Sequence, residues 1–333
     1  MGNAVAVSAF VGGAALGLSA SWLLVSRLER VGERFGLSEA LLGLVAALAA
    51  DSPEISTAVT ALLHHQGAVG SGVIIGSDVF QLAALLGLGA LVAGHLRLHR
   101  KVVVLGGSVA LWVALVCLAT VLGLLPPTVA VGLVVLVLGP YCLLLGARVG
   151  YLARLHLPRR WANWLASAVD EESLELTQAI RPQRGRRRDV VVAAAALCVV
   201  IGASIAMELG ASALGRQYEV ASIVVGGLVL AAATSLPNAV AAVYLASKGR
   251  GAAAFSTALN SNTLNVLAGF LIPSALLGLT RPSNPATLIA AWYVGLTVLT
   301  LALAYATRGL RTWSGWMIIG AYVGFVIALL AIS

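Results

Sequence analysis

Residues 48–59 read LAADSPEISTAV, and residues 231–240 read AAATSLPNAV. The first stretch sets Asp51 and Glu54 inside an apolar run, with Pro53 between them. The second repeats the shape with Asn238 where Glu54 stood, 184 residues later. The same offset relates Pro53 to Pro237, Ser77 to Ser261 and Gln81 to Asn265, so that GSDVFQ at 76–81 is echoed by NSNTLN at 260–265. Scattered matches arise by chance between Gly- and Ala-rich helices. Prolines and polar residues held in one register within apolar segments do not.

Composition decides where such segments live. The chain has 333 residues, 60% of them hydrophobic and 10% charged, with a mean hydropathy of +0.97. Soluble domains carry about 25% charged residues, so no water-soluble surface can be built here, and the chain reads as an all-α polytopic membrane protein. The 36 glycines suit close helix packing. Cys117, Cys142 and Cys198 lie singly in apolar runs and read as small core residues, not as a disulfide framework or metal cluster. The net charge of +8 is explained by basic cytoplasmic connections, and nucleic acid is not expected as a partner. The first apolar segment lacks a basic flank and a clear cleavage site, and reads as a retained span.

Ten apolar segments can be drawn, at roughly 4–25, 38–63, 69–94, 101–123, 127–150, 189–210, 218–246, 252–277, 286–306 and 313–332. Those at 38–63 and 218–246 exceed the ~20 residues that cross a bilayer and contain Pro53 and Pro237, which predicts tilted or broken helices. Basic residues gather in alternate connections: Arg27, Arg30 and Arg34; Arg97, Arg100 and Lys101; the Arg-rich 151–188; Lys248 and Arg250; Arg308 and Arg311. The other connections are nearly bare. This bias predicts a cell inner (plasma) membrane protein with both termini outside and 151–188 in the cytoplasm. Trp161, Trp164 and Leu165 of that connector could lie on the inner membrane surface, and its arginines could touch anionic lipid.

Five spans, an odd number, separate the paired elements, so the two copies should run in opposite directions. The expected organisation is a first repeat at 1–150, a basic connector at 151–188 and an inverted second repeat at 189–333, the layout of an alternating-access carrier. Each repeat would hold five helices.

Carboxylates within a bilayer are expensive, about 2.5–3.5 kcal/mol each on insertion scales. Asp51, Glu54 and Asp78 must therefore be paired, hydrated, protonated or bound to a cation. Asp51 and Glu54 are three residues apart, on one side of a helix. Pro53 also leaves the carbonyl near position 49 without its usual donor, a further oxygen for a cation. Oxygen ligands of this kind suit a hard ion such as Ca²⁺, Na⁺ or Mg²⁺. Glu54 is the first candidate, holding the cation or, between ion-loaded states, a proton. His64 and His65 read as interfacial, and Glu208 as simply exposed, with an entrance lining as the other reading.

The paired motifs resemble the alpha-repeats of the cation/calcium antiporter superfamily, which includes sodium/calcium exchangers. Its usual G-T-S-x-P-E is matched by Ala49-Ala50-Asp51-Ser52-Pro53-Glu54, and its G-N-x-x-G-S-N-x-x-N by the stretch from Gly72 to Gln81. In the second half, Ala233 to Asn238 and Thr257 to Asn265 fill the same places. The resemblance implies that Ser77, Gln81, Thr234, Ser235, Asn238, Ser261 and Asn265 supply or organise the rest of the ion site. It also implies exchange of Ca²⁺ for Na⁺ or H⁺, by a monomer or homodimer. The chain departs from the family pattern by carrying its acids in the first half: Asp51 replaces a usual Ser, Asp78 a usual Asn, and Asn238 the second glutamate. A monovalent cation/H⁺ antiporter is the alternative, and a cation channel a lesser one, since broken helices in inverted halves favour a carrier. No enzyme chemistry or cofactor is indicated; without a P-loop, an ion gradient would drive transport.

Overall fold

The computed structural model describes residues 2–34, 47–146, 186–247, 249, 251–278 and 283–333. The connector reading at 151–185, the start of the second segment at 38–46, and Lys248, Arg250 and Arg281 lie outside these residues. Helix α1 is Asn3–Arg34, α2 is Ser52–Leu63, and α3 is Gly67–Ala93. A short strand β1 (His95–Arg97) precedes α4 (Arg100–Val121), α5 (Pro127–Gly146) and α6 (Arg187–Gln217). Then come α7 (222–247), α8 (251–277), α9 (Asn284–Ala306), strand β2 (Gly309–Arg311) and α10 (Thr312–Ile332).

Helices dominate because lipid offers no partner for backbone N–H and C=O groups, and a helix satisfies both within one segment. Ten crossings are expected from the sequence. Among the described residues seven helices are long and apolar enough to cross a membrane, and α7 adds an eighth if its halves, bent by 54° between Leu236 and Asn238, count as one span. The other two segments differ for separate reasons. Segment 38–63 is described only from residue 47, and α8, helical from end to end, carries Asn260, Asn262 and Asn265 in its middle.

The most enclosed helix is α3. It crosses α7 where glycines meet: a β-carbon at Gly76 would run into the Gly227 carbonyl, and one at Gly226 into the Val69 carbonyl. At Gly72 it would lie 2.9 Å from the Gly227 nitrogen. Only backbones without side chains approach so closely, which is the use of small residues between membrane helices. Wider turns then follow the polar motifs, a π-helical stretch at Leu82–Leu88 within α3 and another at Asn265–Leu271 within α8. Such turns redirect the side chains beyond them and recur at functional sites.

On one flank α1 and α6 run antiparallel. Gly13 faces Ala203 and Met207, Gly210 faces Ala6 and Phe10, and Arg27 bonds Asp189 at 2.8 Å. At one end of the bundle β1 and β2 pair antiparallel, Leu96 opposite Leu310, and Gly251 lies against the backbone of Leu96 and Arg97. Two connections that carry arginines, with the start of α8 beside them, thus meet at one end.

The outer surface is apolar. Trp22, Leu136, Leu143 and Val191 are exposed, and so is Cys198, which corrects its reading as a core residue. A residue in lipid needs no burial to be apolar, so hydropathy does not separate core from periphery here. Cys117 is buried and Cys142 half-buried.

The glycine crossing makes a direct test. Gly76→Val should cost at least ~1–3 kcal/mol by overpacking and sharply reduce the yield of monodisperse protein. Gly132→Ala, where a β-carbon meets nothing within 4 Å, should leave the yield unchanged. Size-exclusion chromatography with a thermal-unfolding curve reads both.

Candidate ion site

Asp51 stands at the N-terminal end of α2 and Glu54 in its first turn, both completely buried. The positive end of a helix dipole favours carboxylates at both positions. Pro53 has no N–H to offer the Ala49 carbonyl. That oxygen instead accepts from Ser52 Oγ at 2.6 Å and from Ser21 Oγ of α1 at 3.3 Å. The backbone oxygen expected to be free for a cation is thus taken by two hydroxyls. Ser204 of α6 similarly donates to the Pro53 carbonyl at 3.3 Å.

The two carboxylates divide their partners. Asp51 Oδ1 accepts from Asn238 Nδ2 at 2.7 Å and Ser261 Oγ at 2.6 Å. Glu54 Oε1 accepts from Ser235 Oγ at 2.8 Å and Gln81 Nε2 at 3.1 Å. Ser261 Oγ also lies 2.8 Å from Gln81 Oε1. A hydroxyl has one proton, so Asp51 and Gln81 compete for it. The result is one connected network of six residues, Asp51, Glu54, Gln81, Ser235, Asn238 and Ser261, drawn from four segments. Asp51 Oδ2 and Glu54 Oε2 are buried without a partner.

The other four expected site residues stand differently. Ser77 Oγ donates to the Ile74 carbonyl at 2.8 Å and Thr234 Oγ1 to the Leu230 carbonyl at 2.9 Å, each within its own helix. Both hydroxyls keep lone pairs, but neither joins the network. Asp78 and Asn265 pair with each other, Asn265 Nδ2 donating to Asp78 Oδ1 at 3.4 Å. Among the described residues no three of the His, Cys, Asp and Glu side chains converge as a metal site would require. Asp78 thus bonds Asn265 and no member of the six-residue network, while lying near enough to Asp51 and Glu54 to feel their charges.

Two pairings are related by the sequence offset. Asp51–Asn238 becomes Ser235–Glu54 when each partner is exchanged for its counterpart 184 residues away. Asp78 and Asn262, themselves counterparts, touch directly, with Asn262 Nδ2 donating to the Asp78 carbonyl at 3.1 Å. Asn238 donates a hydrogen bond where a glutamate would bring a charge, and the acid it serves, Asp51, stands in the first half.

The sequence profile of the family described as "Sodium/calcium exchanger protein" matches residues 5–150 and 189–331. The chain belongs to this exchanger family. Curated relatives include CaxA of Alkalimonas amylolytica, 35% identical over 82 residues, or 24% of this chain and 26% of that protein. Sodium/potassium/calcium exchanger 2 of Gallus gallus is 25% identical over 122 residues, 34% of this chain and 19% of its own length. The chain therefore matches only about a quarter and a fifth of these two relatives. Among solved structures, the H⁺/Ca²⁺ exchanger CAX overlays with a TM-score of 0.74 at 13% identity, covering 98% of this chain and 85% of the other. The sodium-calcium exchanger NCX_Mj overlays with a TM-score of 0.58 at 20% identity, covering 96% and 97%. At these identities the likeness is one of fold.

The chain also holds polar groups that sequence reasoning passed over. Thr57, one turn beyond Glu54, is buried with its hydroxyl unpartnered, and its three-residue spacing from Glu54 was the available signal. Tyr293, fully buried on α9, belongs to no motif and carried no signal. Glu208 corrects its expected exposure. It is completely buried, accepts from Ser212 Oγ at 2.9 Å, and faces His64 Nδ1 at 3.5 Å. Packing of α6 against α1, α2 and α7 encloses it.

Because Asn238 Nδ2 meets a carboxylate, Asn238→Asp should set two acids face to face. In cation-free detergent solution the variant should unfold at a lower temperature than Asn238→Ala, which loses one hydrogen bond to a charged group, about 1.5–3 kcal/mol. Parallel thermal-unfolding curves of the two variants and wild type check the order.

Proposed function

We propose that this chain is an ion-gradient-driven antiporter that exchanges Ca²⁺ for Na⁺ or H⁺ by alternating access. The observation that carries the reading is the Asp51–Glu54 pair. Both acids are fully buried, each is held through one oxygen by neutral donors, and each keeps its second oxygen unpartnered. Two formal negative charges balance one divalent ion, and carboxylate, hydroxyl and amide oxygens are the donor set of a hard cation. Gln81 Oε1 and the lone pairs of Ser77, Thr234, Ser235 and Ser261 are further oxygens within the same helices. Membership of the exchanger family, and the fold shared with CAX and NCX_Mj, support the same reading.

The mechanism follows from charge. An empty site with two carboxylates opposes passage of the protein between its two facing states. A divalent cation, or two monovalent ones, neutralises it and lowers that cost. Exchange is then obligatory, because only loaded sites cross.

The architecture proposed with it is ten spans in two inverted five-helix halves, 1–150 and 189–333, joined by the cytoplasmic connector 151–188. The exchange of Asp51–Asn238 with Ser235–Glu54 under one offset supports it, as do the wide turns after Gln81 and from Asn265. Both termini would be outside. The β1–β2 pair supports this orientation by gathering Arg97, Arg311 and the start of α8 at Gly251 at one end, as the positive-inside rule requires of cytoplasmic connections.

Flux in sealed proteoliposomes provides the test. With internal calcium and pH indicators, wild type should move Ca²⁺ when a Na⁺ or H⁺ gradient is imposed. Glu54→Gln and Asp51→Asn should each reduce that flux at least tenfold. Proton or sodium exchange without calcium movement would overturn the calcium reading, and single-channel currents would overturn the carrier.

A further inference from the structure

On the lipid-facing side of the bundle, α3, α7 and α10 leave a groove of about 640 Å³ between them. Its floor is made of small residues, Ala83 and Ala84 of α3 and Ala239 of α7, all buried. Its rims carry Val92 and Val240, both exposed. At one end Phe80, the neighbour of Gln81 in the chain, meets Tyr322 edge to face at 5.8 Å. At the other end stand Val92 and Ser247, where α3 and α7 finish. The lining is apolar apart from the hydroxyls of Tyr244, Ser247 and Tyr322. Gly89 of α3 faces both Ala246 of α7 and Leu96 of β1, and Thr312 Oγ1, at the start of α10, donates to the Gly94 carbonyl at 3.0 Å. The second end of the groove therefore opens beside the β1–β2 pair.

That pair has two unlike faces. Side chains alternate along a strand, and residues directly opposite share a face. Leu96 opposite Leu310 forms the buried face, at 1% and 0% exposure. The other face carries Arg97, with Arg311 opposite His95. Both arginines are exposed, and among the described residues neither has an ion-pair partner. His95 Nε2 is buried beside them without a hydrogen bond. Trp313 and Trp316, exposed in the first turns of α10, stand at the same end. Tryptophans in such places sit at headgroup level. An apolar groove thus leads along the helices to a basic face at the membrane boundary.

We propose that groove and ribbon together bind one anionic phospholipid, with an acyl chain along α3, α7 and α10 and its phosphate against Arg97 and Arg311. Within a bilayer the groove has no water to fill it, and a void would forfeit the dispersion contacts of its lining. A flexible hydrocarbon chain is the occupant at hand. Charge selects the headgroup and disfavours a second copy of this chain. Copies inserted the same way would bring their own Arg97 and Arg311 to the same level and set like charges together, whereas a phosphate brings the opposite sign. The lipid would also back the bent α7 on its lipid-facing side. Leu236 and Val240 line the groove there, while Ser235 and Asn238, on the buried side, hold the acids. The site rests on the proposed orientation only for the leaflet that supplies the lipid, the cytoplasmic one.

Native mass spectrometry and thermal unfolding of the delipidated full-length protein test this, with phosphatidylglycerol, phosphatidylcholine and inorganic phosphate as probes. Phosphatidylglycerol should remain bound to wild type and raise its unfolding temperature by roughly 2–5 °C at saturation, and phosphatidylcholine should raise it less. Arg97→Gln combined with Arg311→Gln should reduce the preference for phosphatidylglycerol roughly tenfold or more. Val243→Trp, in the groove wall, should displace both lipids. Should that variant fail to fold, the arginine pair, exposed on the ribbon, still decides the question. Equal shifts from the two lipids in wild type would overturn the proposal, as would an undiminished preference in the double arginine variant. An equal shift from inorganic phosphate would overturn it by making the ribbon a site for free anions. Conversion of a dimer to a monomer by Val243→Trp, with phosphatidylglycerol still bound, would overturn it by giving the groove to a second copy.

Discussion

Two carboxylates taken out of water within three residues of each other are the constraint to which the rest of this molecule answers. Each must find donors that compensate for lost hydration, and a single helix cannot supply them. Asp51 and Glu54 take theirs from α3, α7 and α8, across sequence separations of 27 to 210 residues. The glycine crossing of α3 and α7 exists at the distance this demands. With ordinary side chains between the backbones, Ser235 and Gln81 would not both reach Glu54 Oε1.

Pro53 contributes differently from its expected role. It starts α2 at the depth of the site, so that two acids sit at the positive end of a helix. The carbonyl it strands is quenched by Ser52 and Ser21, and the Pro53 carbonyl itself by Ser204. Serines of α1 and α6 thereby tie the flanking helix pair to the break that carries the acids. The broken helix is sealed against its neighbours, and the unpartnered oxygens near its start are those of the acid side chains and of Thr57.

The replacement of the second acid by Asn238 is also intelligible from geometry. Across the contact from Asn238 stands Asp51, and an amide facing a carboxylate is a favourable pair where two carboxylates would repel. Both acids lie in the first half of the sequence, and Ser235, Asn238 and Ser261 of the second half answer with neutral donors. Asp78 extends the asymmetry, since its counterpart Asn262 and its neighbour Asn265 are both amides.

Much of this could be read from the sequence. Hydropathy alone requires membrane helices, because lipid leaves the backbone no other way to be satisfied, and one recurring offset ties Glu54 to Asn238 and Ser77 to Ser261. Six of the ten expected site residues form the network. Hydropathy says nothing about which apolar side faces lipid, so Cys198 was misread, and periodicity along one helix says nothing about a partner on another. Whether Ser77 and Thr234 turn toward the site or back to their own carbonyls is a choice of rotamer. Glu208 becomes buried only because α6 packs on α1, α2 and α7, and Tyr293 only because α9 crosses α3. Local chemistry thus determined that buried acids must exist in this chain and roughly where. The tertiary structure alone decided which donors on other helices each acid takes, because that depends on distances between helices that no single segment contains.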